Sequence, residues 1–572
     1  MLFLNISHLA FEDEIKKKLS ILFFTFGIFL FILNLYYNFP DYFDAAIFWI
    51  AILTMVGTVL YQIFFLNNHR FVLFEIFIIY LSLHLMYSVG FYGLRGSDSY
   101  IDYNFLKNIL NDHKFILGQN LDKWNIDGWP MIHLLSSAVS LITKIDPLLV
   151  AKFLPSFISS IIVLPIYLLA YTINKNKKIA LFVCVLFGVI PQFVDFEATF
   201  VRETIALFFM FLFFYMLYAS KKHRDFRLTL LAFFLIPVIV FSHHFTSFMV
   251  IILLGIYFFV TKFVLYFYKK NSKMIKKLSG VINIKTIFLS AIIITFFYWI
   301  YYATFIFEYS LDYLYQFIGF EDMLTYSDQL QLGSSIVTIR GNIIYYGFFF
   351  FHIAFSLILL IKLIVMKNRE KIEDTTFTLY FFFCMFYAFL ALYVLSSFLY
   401  PDRFLPFGWM FGFIPLTGLL LIIKKKTYKK ILTVLLISFL MYNLYGLSIE
   451  YYTGNASLTG VVVTEKEYFI ANQISFPEEY FGYGGAVAAI YDLQGIEQRT
   501  KGKDLSFIVY GGFSYNTTAV IDDDLNIYHL ENLKEKSPAT YNNLIQVLSY
   551  KNQKNVNKIC EIGNVYVLKG SE

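Results

Sequence analysis

The fold class this sequence predicts is a polytopic α-helical membrane protein of about 13 transmembrane helices, with a C-terminal external α/β soluble domain. Three observations predict it. The 572 residues are 58% hydrophobic and 15% charged, against about 25% charged in a soluble domain. Mean hydropathy is +0.64, and apolar runs close to the roughly 20 residues needed to cross a bilayer recur along the chain. Basic loops fall at every second connection between those runs.

Taken in order, the runs lie near 19–38, 43–66, 71–92, 148–173, 179–194, 203–220, 228–242, 245–268, 283–303, 342–366, 375–399, 404–423 and 430–448. Residues 1–15 mix apolar and acidic side chains and read as a short interfacial helix. Lys16, Lys17 and Lys18 precede a run long enough to span, with no small-residue cleavage site after it, so that run reads as an anchor rather than a leader. The basic connections are Lys16 to Lys18, His69 and Arg70, Lys175 to Lys178, Lys221 to Arg224, Lys269 to Lys277, Lys367 to Lys371 and Lys424 to Lys430. The positive-inside rule assigns them, and the N-terminus, to the cytoplasm. The alternate connections are then external, including loops 93–147 and 304–341 and everything after 448. In this topology the segment 130–143 is an external or re-entrant helix, because one more span would reverse every later loop.

The division is therefore a membrane domain over 1–448 and an external domain over 449–572. Charge supports it: residues 448–572 carry 10 Lys+Arg against 15 Asp+Glu, net −5, which leaves 36 against 25 and net +11 for the rest. The external tail alternates β-rich runs (Gly460 to Thr464, Ser506 to Val509, Val565 to Leu568) with helical stretches (Lys466 to Ile474, Thr540 to Leu548). It contains the sequons Asn455 to Ser457 and Asn516 to Thr518. Cys184 and Cys384 lie in apolar runs and Cys560 stands alone, so these spacings make no disulfide framework or zinc pattern. The basic residues sit in short loops between spans and not on one soluble face, which excludes nucleic acid as a partner. A composition rich in Lys, Asn, Ile, Phe and Tyr fits a prokaryotic plasma membrane.

Chemistry-bearing residues gather at the external span mouths. Loop 93–147 carries Asp98 about six residues past a span end and Asp102 four residues later, on one face if the stretch is helical. A carboxylate at a membrane mouth is a functional-site hypothesis; its structural alternative is an acid favoured by a helix N-terminus. Asp195, Glu197, Arg202 and Glu203 crowd the next external mouth. They either pair with one another or supply a phosphate-binding arginine and a catalytic or metal-binding acid. His243 and His244 stand at a third mouth, where side chains at i and i+1 diverge on a helix and so suit hydrogen bonding better than a shared metal. Arg403 in the segment Pro401 to Pro406 has a planar donor fork suited to phosphate, or else snorkels to the interface.

At these residues the sequence resembles the GT-C glycosyltransferases, polytopic enzymes that take a sugar or glycan from a polyprenyl-phosphate-type carrier. The resemblance rests on Asp98 to Tyr103, the stripe Phe105 to Leu110, Asp127 to His133, Arg202 to Phe208 and Arg403 to Pro406, in that order. It implies transfer of a sugar from a polyprenyl-phosphate-linked donor to a glycan, lipid or protein acceptor on the external face, in contact with membrane lipid. It implies Asp98 as general base and Arg403 and Arg202 as ligands of the donor phosphate. Asp102, Glu203, Asp195, Glu197, His243 and His244 are accessory candidates. No metal or other cofactor is expected. The alternatives are an oligosaccharyltransferase-like, metal-dependent enzyme, whose Trp-Trp-Asp motif is absent from this tail, and a lipid-linked glycan flippase.

Overall fold

The computed structural model describes residues 2–37, 46–66, 71–89, 94, 97–115, 128–267, 284–304, 306–308, 412–414, 416–418, 420–421, 423 and 425–452, and strand residues 480–482, 518–522, 556–562 and 565–570. The expected spans at 342–366 and 375–399, Arg403, and nearly all of loop 304–341 lie outside them.

Among the described residues, five helices are long and apolar enough to cross a membrane: Glu14–Tyr37, Ala46–Phe65, Pro147–Asn174, Arg202–His223 and Ile284–Tyr302. The first belongs to α1 (Leu2–Tyr37). The stretch expected to form a separate interfacial helix is its continuous N-terminal extension. No glycine or proline interrupts the junction, and a Glu14–Lys18 pair at 2.9 Å, one turn apart, supports it. α2 (Ala46–Phe65) packs on α1, and α3 (Val72–Val89) packs on the later α6.

The run 148–173 is α6 (Pro147–Ile161) and α7 (Val163–Asn174), which join through Ile162 with its backbone still in the right-handed helical region, so that together they are long enough to span. The run 179–194 divides. α8 (Lys177–Gly188) ends at Val189, and Pro191 opens the short α9 (Pro191–Glu197), as a proline preset for the first helical position should. α10 (Arg202–His223) and α11 (Phe226–Ser242) form a hairpin. Its turn is Arg224 in the left-handed conformation, followed by Asp225, whose carboxylate accepts the Arg227 N–H at 2.9 Å. Lys175 and Asn176 turn α7 into α8 in the same way. α12 (His244–Phe267) and α13 (Ile284–Tyr302) complete the bundle before α14 (Lys426–Tyr452), a helix that runs four residues past position 448.

α8 is the core of this bundle: Ile179 to Gly188 are all buried. It is only 12 residues long, roughly 18 Å, and takes its place through tight packing. The Tyr80 hydroxyl donates to the Cys184 carbonyl at 2.6 Å. That bond lays the tyrosine ring across Gly188, where a Cβ would fall 1.8 Å from Tyr80 Cε1. Gly188→Ala is therefore expected to destabilise the fold by about 1–3 kcal/mol through overpacking. A lowered melting midpoint in detergent would show it, and an unchanged midpoint would contradict the packing described.

Toward the C-terminus β1 (Tyr480–Gly482), β2 (Thr518–Asp522), β3 (Val556–Ile562) and β4 (Val565–Gly570) form one sheet in the order β1-β2-β4-β3. β1 pairs with β2 in parallel; β4 is antiparallel to both β2 and β3, with a register shift between Lys558 and Cys560. β4 coincides with the expected run Val565 to Leu568. The other expected runs and both helical stretches of the tail lie outside the described residues.

Candidate active site

Two short amphipathic helices sit over one end of the bundle. α4 (Ser97–Asp112) carries Asp98 in its first turn and Asp102 one turn later; α5 (Met131–Thr143) packs against it and against α6, α10 and α11. With 13 residues α5 is too short to span on its own.

The two acids of α4 have opposite surroundings. Asp98 is exposed. Asp102 is wholly buried, as is the His133 side chain that α5 brings to it. His133 Nε2 donates to Asp102 Oδ1 at 3.1 Å, and Arg202 Nε is ion-paired with the same oxygen at 3.2 Å. Spacing of four residues places two side chains on one helix face, but α5, α6 and the Arg202 side chain pack against α4 so that Asp102 is buried and Asp98 is not.

Arg202 is the first residue of α10. A cation there opposes the helix dipole by about 0.3–1 kcal/mol, and the buried carboxylate offsets that cost. Its guanidinium also lies 5.7 Å from the centroid of the Trp129 ring. Trp129, 1% exposed, precedes α5; the chain there is tied to α13 by the Tyr298 hydroxyl, which donates to the Gly128 carbonyl at 2.5 Å. Beyond Trp129 stand the His244 ring at 4.7 Å and, 4.6 Å further, the His243 ring. The histidine rings meet because the helix breaks between them. His243 has an extended backbone at the end of α11, and its Nδ1 accepts the Thr246 N–H. The divergence expected for helical neighbours therefore does not apply. With an arginine and a histidine against it, Trp129 is a wedge inside the protein and not an open platform for a sugar.

Around Asp102 the polar atoms Ser99 Oγ, Asp102 Oδ2, His133 Nδ1, Ser136 Oγ and Ser137 Oγ are buried without a hydrogen-bond partner among the described residues. The α4–α5 contact is thus polar at its centre and apolar at its edge, where Phe105 meets the His133 ring edge-on at 4.8 Å.

Glu197 and Glu203 form a second acidic locus. Both are buried. Burial, reinforced by the charge of Glu203, pushes the Glu197 carboxyl well above the usual carboxylate range, against a smaller opposing hydrogen bond to Thr204. Its backbone carbonyl accepts from Ser159 at 2.8 Å, which ties α9 to α6. Asp195 lies two residues before Glu197 on α9, is only half-buried, and on a helix points to the other side. Among the described residues no group of three or more His, Cys, Asp or Glu side chains is arranged to hold a metal ion.

The structure thus brings Asp102 and Arg202 together and places His243 and His244 behind them through Trp129. It keeps Asp98 at the surface one turn away. Asp195, Glu197 and Glu203 sit at the neighbouring mouth, and Arg403 is outside the described residues. Sequence reasoning assigned no role to His133 or Trp129. The available signal was one ionisable residue in an otherwise apolar and small-residue helix, directly after an aromatic–proline pair.

No protein-family model matches the chain, and no curated protein matches it. In overall structure the chain is similar to the oligosaccharyltransferase of Archaeoglobus fulgidus, solved in complex with zinc and sulfate, at 13% identity and a TM-score of 0.48 over 82% of this chain and 68% of that one. It is also similar to ArnT from Cupriavidus metallidurans, solved bound to undecaprenyl phosphate, at 10% identity and a TM-score of 0.43 over 86% of this chain and 97% of that one.

Proposed function

We propose that the chain is an integral membrane glycosyltransferase that moves a sugar from a polyprenyl-phosphate-linked donor to an acceptor on the external face of the membrane. The observation that carries this reading is the placement of Arg202, held by a buried carboxylate at the end of α10, with the exposed acid Asp98 one helical turn from that carboxylate. The opposite end of α10 carries Lys221 and Lys222, and Lys222 bonds to the Thr172 carbonyl at the end of α7. By the positive-inside rule that end is cytoplasmic and the Arg202 end external.

In this reaction the acceptor oxygen bonds to the anomeric carbon while the bond from that carbon to the phosphate oxygen breaks. Asp98 takes the acceptor's proton. The polyprenyl phosphate leaves as an anion, and the charge developing on it is met by the terminal nitrogens of Arg202 through charge-assisted hydrogen bonds. Arg403 is assigned to the same phosphate. Asp102 accepts from His133, is ion-paired with Arg202, and serves to hold the arginine rather than as the base.

No metal has a role in this scheme. The metal-dependent alternative would draw on Asp195, Glu197 and Glu203. The test is transfer of a labelled sugar from a polyprenyl-phosphate donor by the purified protein, with and without a chelator. Transfer that survives the chelator supports the scheme. Loss with the chelator, restored by a divalent cation, favours the alternative, and no transfer to any acceptor class defeats both.

A further inference from the structure

The contacts on Arg202 come from two sides. Asp102 Oδ1 holds Nε at 3.2 Å, and the Trp129 ring lies 5.7 Å from the guanidinium carbon. One contact is a point on the edge of the fork, and the other is a face. Together they limit rotation about the last side-chain bonds and settle where the two terminal nitrogens can lie. Neither contact is self-supporting. Asp102 Oδ1 is itself held by His133 Nε2 from α5. Trp129 is in ring contact with His244, and its chain segment is tied to α13 through Gly128. Asp102, His133 and Trp129 are all shut away from solvent, whereas Arg202 keeps 17% of its side chain exposed. A donor phosphate can therefore reach the arginine and not the groups behind it.

We infer that His133 and Trp129 are positioning residues. They set the plane of the Arg202 guanidinium and so the affinity for the donor's phosphate, without touching the donor. This rests on the reading of Arg202 as the phosphate ligand. A buried histidine that merely fills space would be replaceable by any apolar side chain of its size. A histidine that acts through its Nε2–H would be replaceable by glutamine, whose amide nitrogen stands the same number of bonds from Cα.

The experiment compares wild type, His133→Leu and His133→Gln in detergent. It measures the melting midpoint, the dissociation constant for a long-chain polyprenyl monophosphate, and donor KM and kcat for transfer. His133→Leu is expected to weaken phosphate binding and raise donor KM together by about tenfold to thirtyfold, the range set by the rotamer freedom an arginine regains. Its kcat should move little, and His133→Gln should recover most of the loss. Unchanged binding by His133→Leu, or failure of a folded His133→Gln to recover it, overturns the inference. If His133→Leu does not fold, Trp129→Phe carries the test, with weakened phosphate binding expected and full affinity overturning it. Should wild type transfer no sugar while phosphate binding follows this order, the proposed activity fails and the positioning role stands. Normal transfer with binding insensitive to His133 has the opposite meaning.

Discussion

Arg202→Met is expected to cost the fold about 2–3 kcal/mol, and the same change combined with Asp102→Leu is expected to cost less than Arg202→Met alone. Asp102 is wholly buried, and its described partners are Arg202 and His133. Removing the cation leaves a buried carboxylate whose described hydrogen-bond donor is His133 alone, and the desolvation of that charge is no longer offset. Because Arg202 is 17% exposed, the loss falls below the roughly 3–5 kcal/mol typical of a fully buried pair. Removing the carboxylate as well takes away the group that needs compensation. Melting midpoints of the two single variants and the double variant form the cycle. Simple additivity would mean that the pair is not coupled, and the account of Arg202 as a held residue would fail. Both Arg202 variants should also lose polyprenyl phosphate binding. A double variant that is stable and still cannot bind would separate the scaffold role of the pair from its role toward donor.

The helices legible in the sequence are those whose boundaries are drawn by length and punctuation. α2, α10 and α13 match their apolar runs within a few residues, because a spanning helix is bounded by the polar surroundings at each end. α8 and α9 were less legible. Hydropathy over 179–194 is continuous, and only Pro191 marks the place where one helix stops and another begins. The lapse between α6 and α7 at Ile162 is marked by Pro165, which has no N–H to donate to the Ile161 carbonyl four residues back.

The candidate site was legible as a set of residues and not as a hierarchy. Charge and position were enough to select Asp98, Asp102 and Arg202. Which acid is buried depends on where α5 and α6 pack against α4, a tertiary fact that the spacing of two residues on one helix does not contain. His133 was hidden for the same reason. A lone histidine in an apolar stripe has no partner in its own segment, and its partner Asp102 is 31 residues away.

Asp98→Asn is expected to lower kcat for sugar transfer by about 10²–10⁴, the range over which a positioned general base contributes. Phosphate binding and the melting midpoint should stay near wild type. The argument turns on the two acids of α4 having different work to do. Asp98 is exposed and sits in the first turn, where asparagine is also well accepted, and an exposed substitution of this kind stays within about 0.5 kcal/mol of neutral. Its loss should therefore be purely kinetic. Asp102→Asn should act in the opposite sense: it weakens the hold on Arg202, so it lowers donor affinity and stability and reaches the chemical step only through them. If Asp98→Asn transfers sugar at the wild-type rate, Asp98 serves only the helix N-terminus and the base must be sought elsewhere. If Asp98→Asn weakens phosphate binding as much as Asp102→Asn does, the two acids share one role and the separation of base from positioning residue is wrong. Only a kcat loss for Asp98 beside an affinity loss for Asp102 fits a carboxylate that meets the acceptor and a carboxylate that holds the arginine.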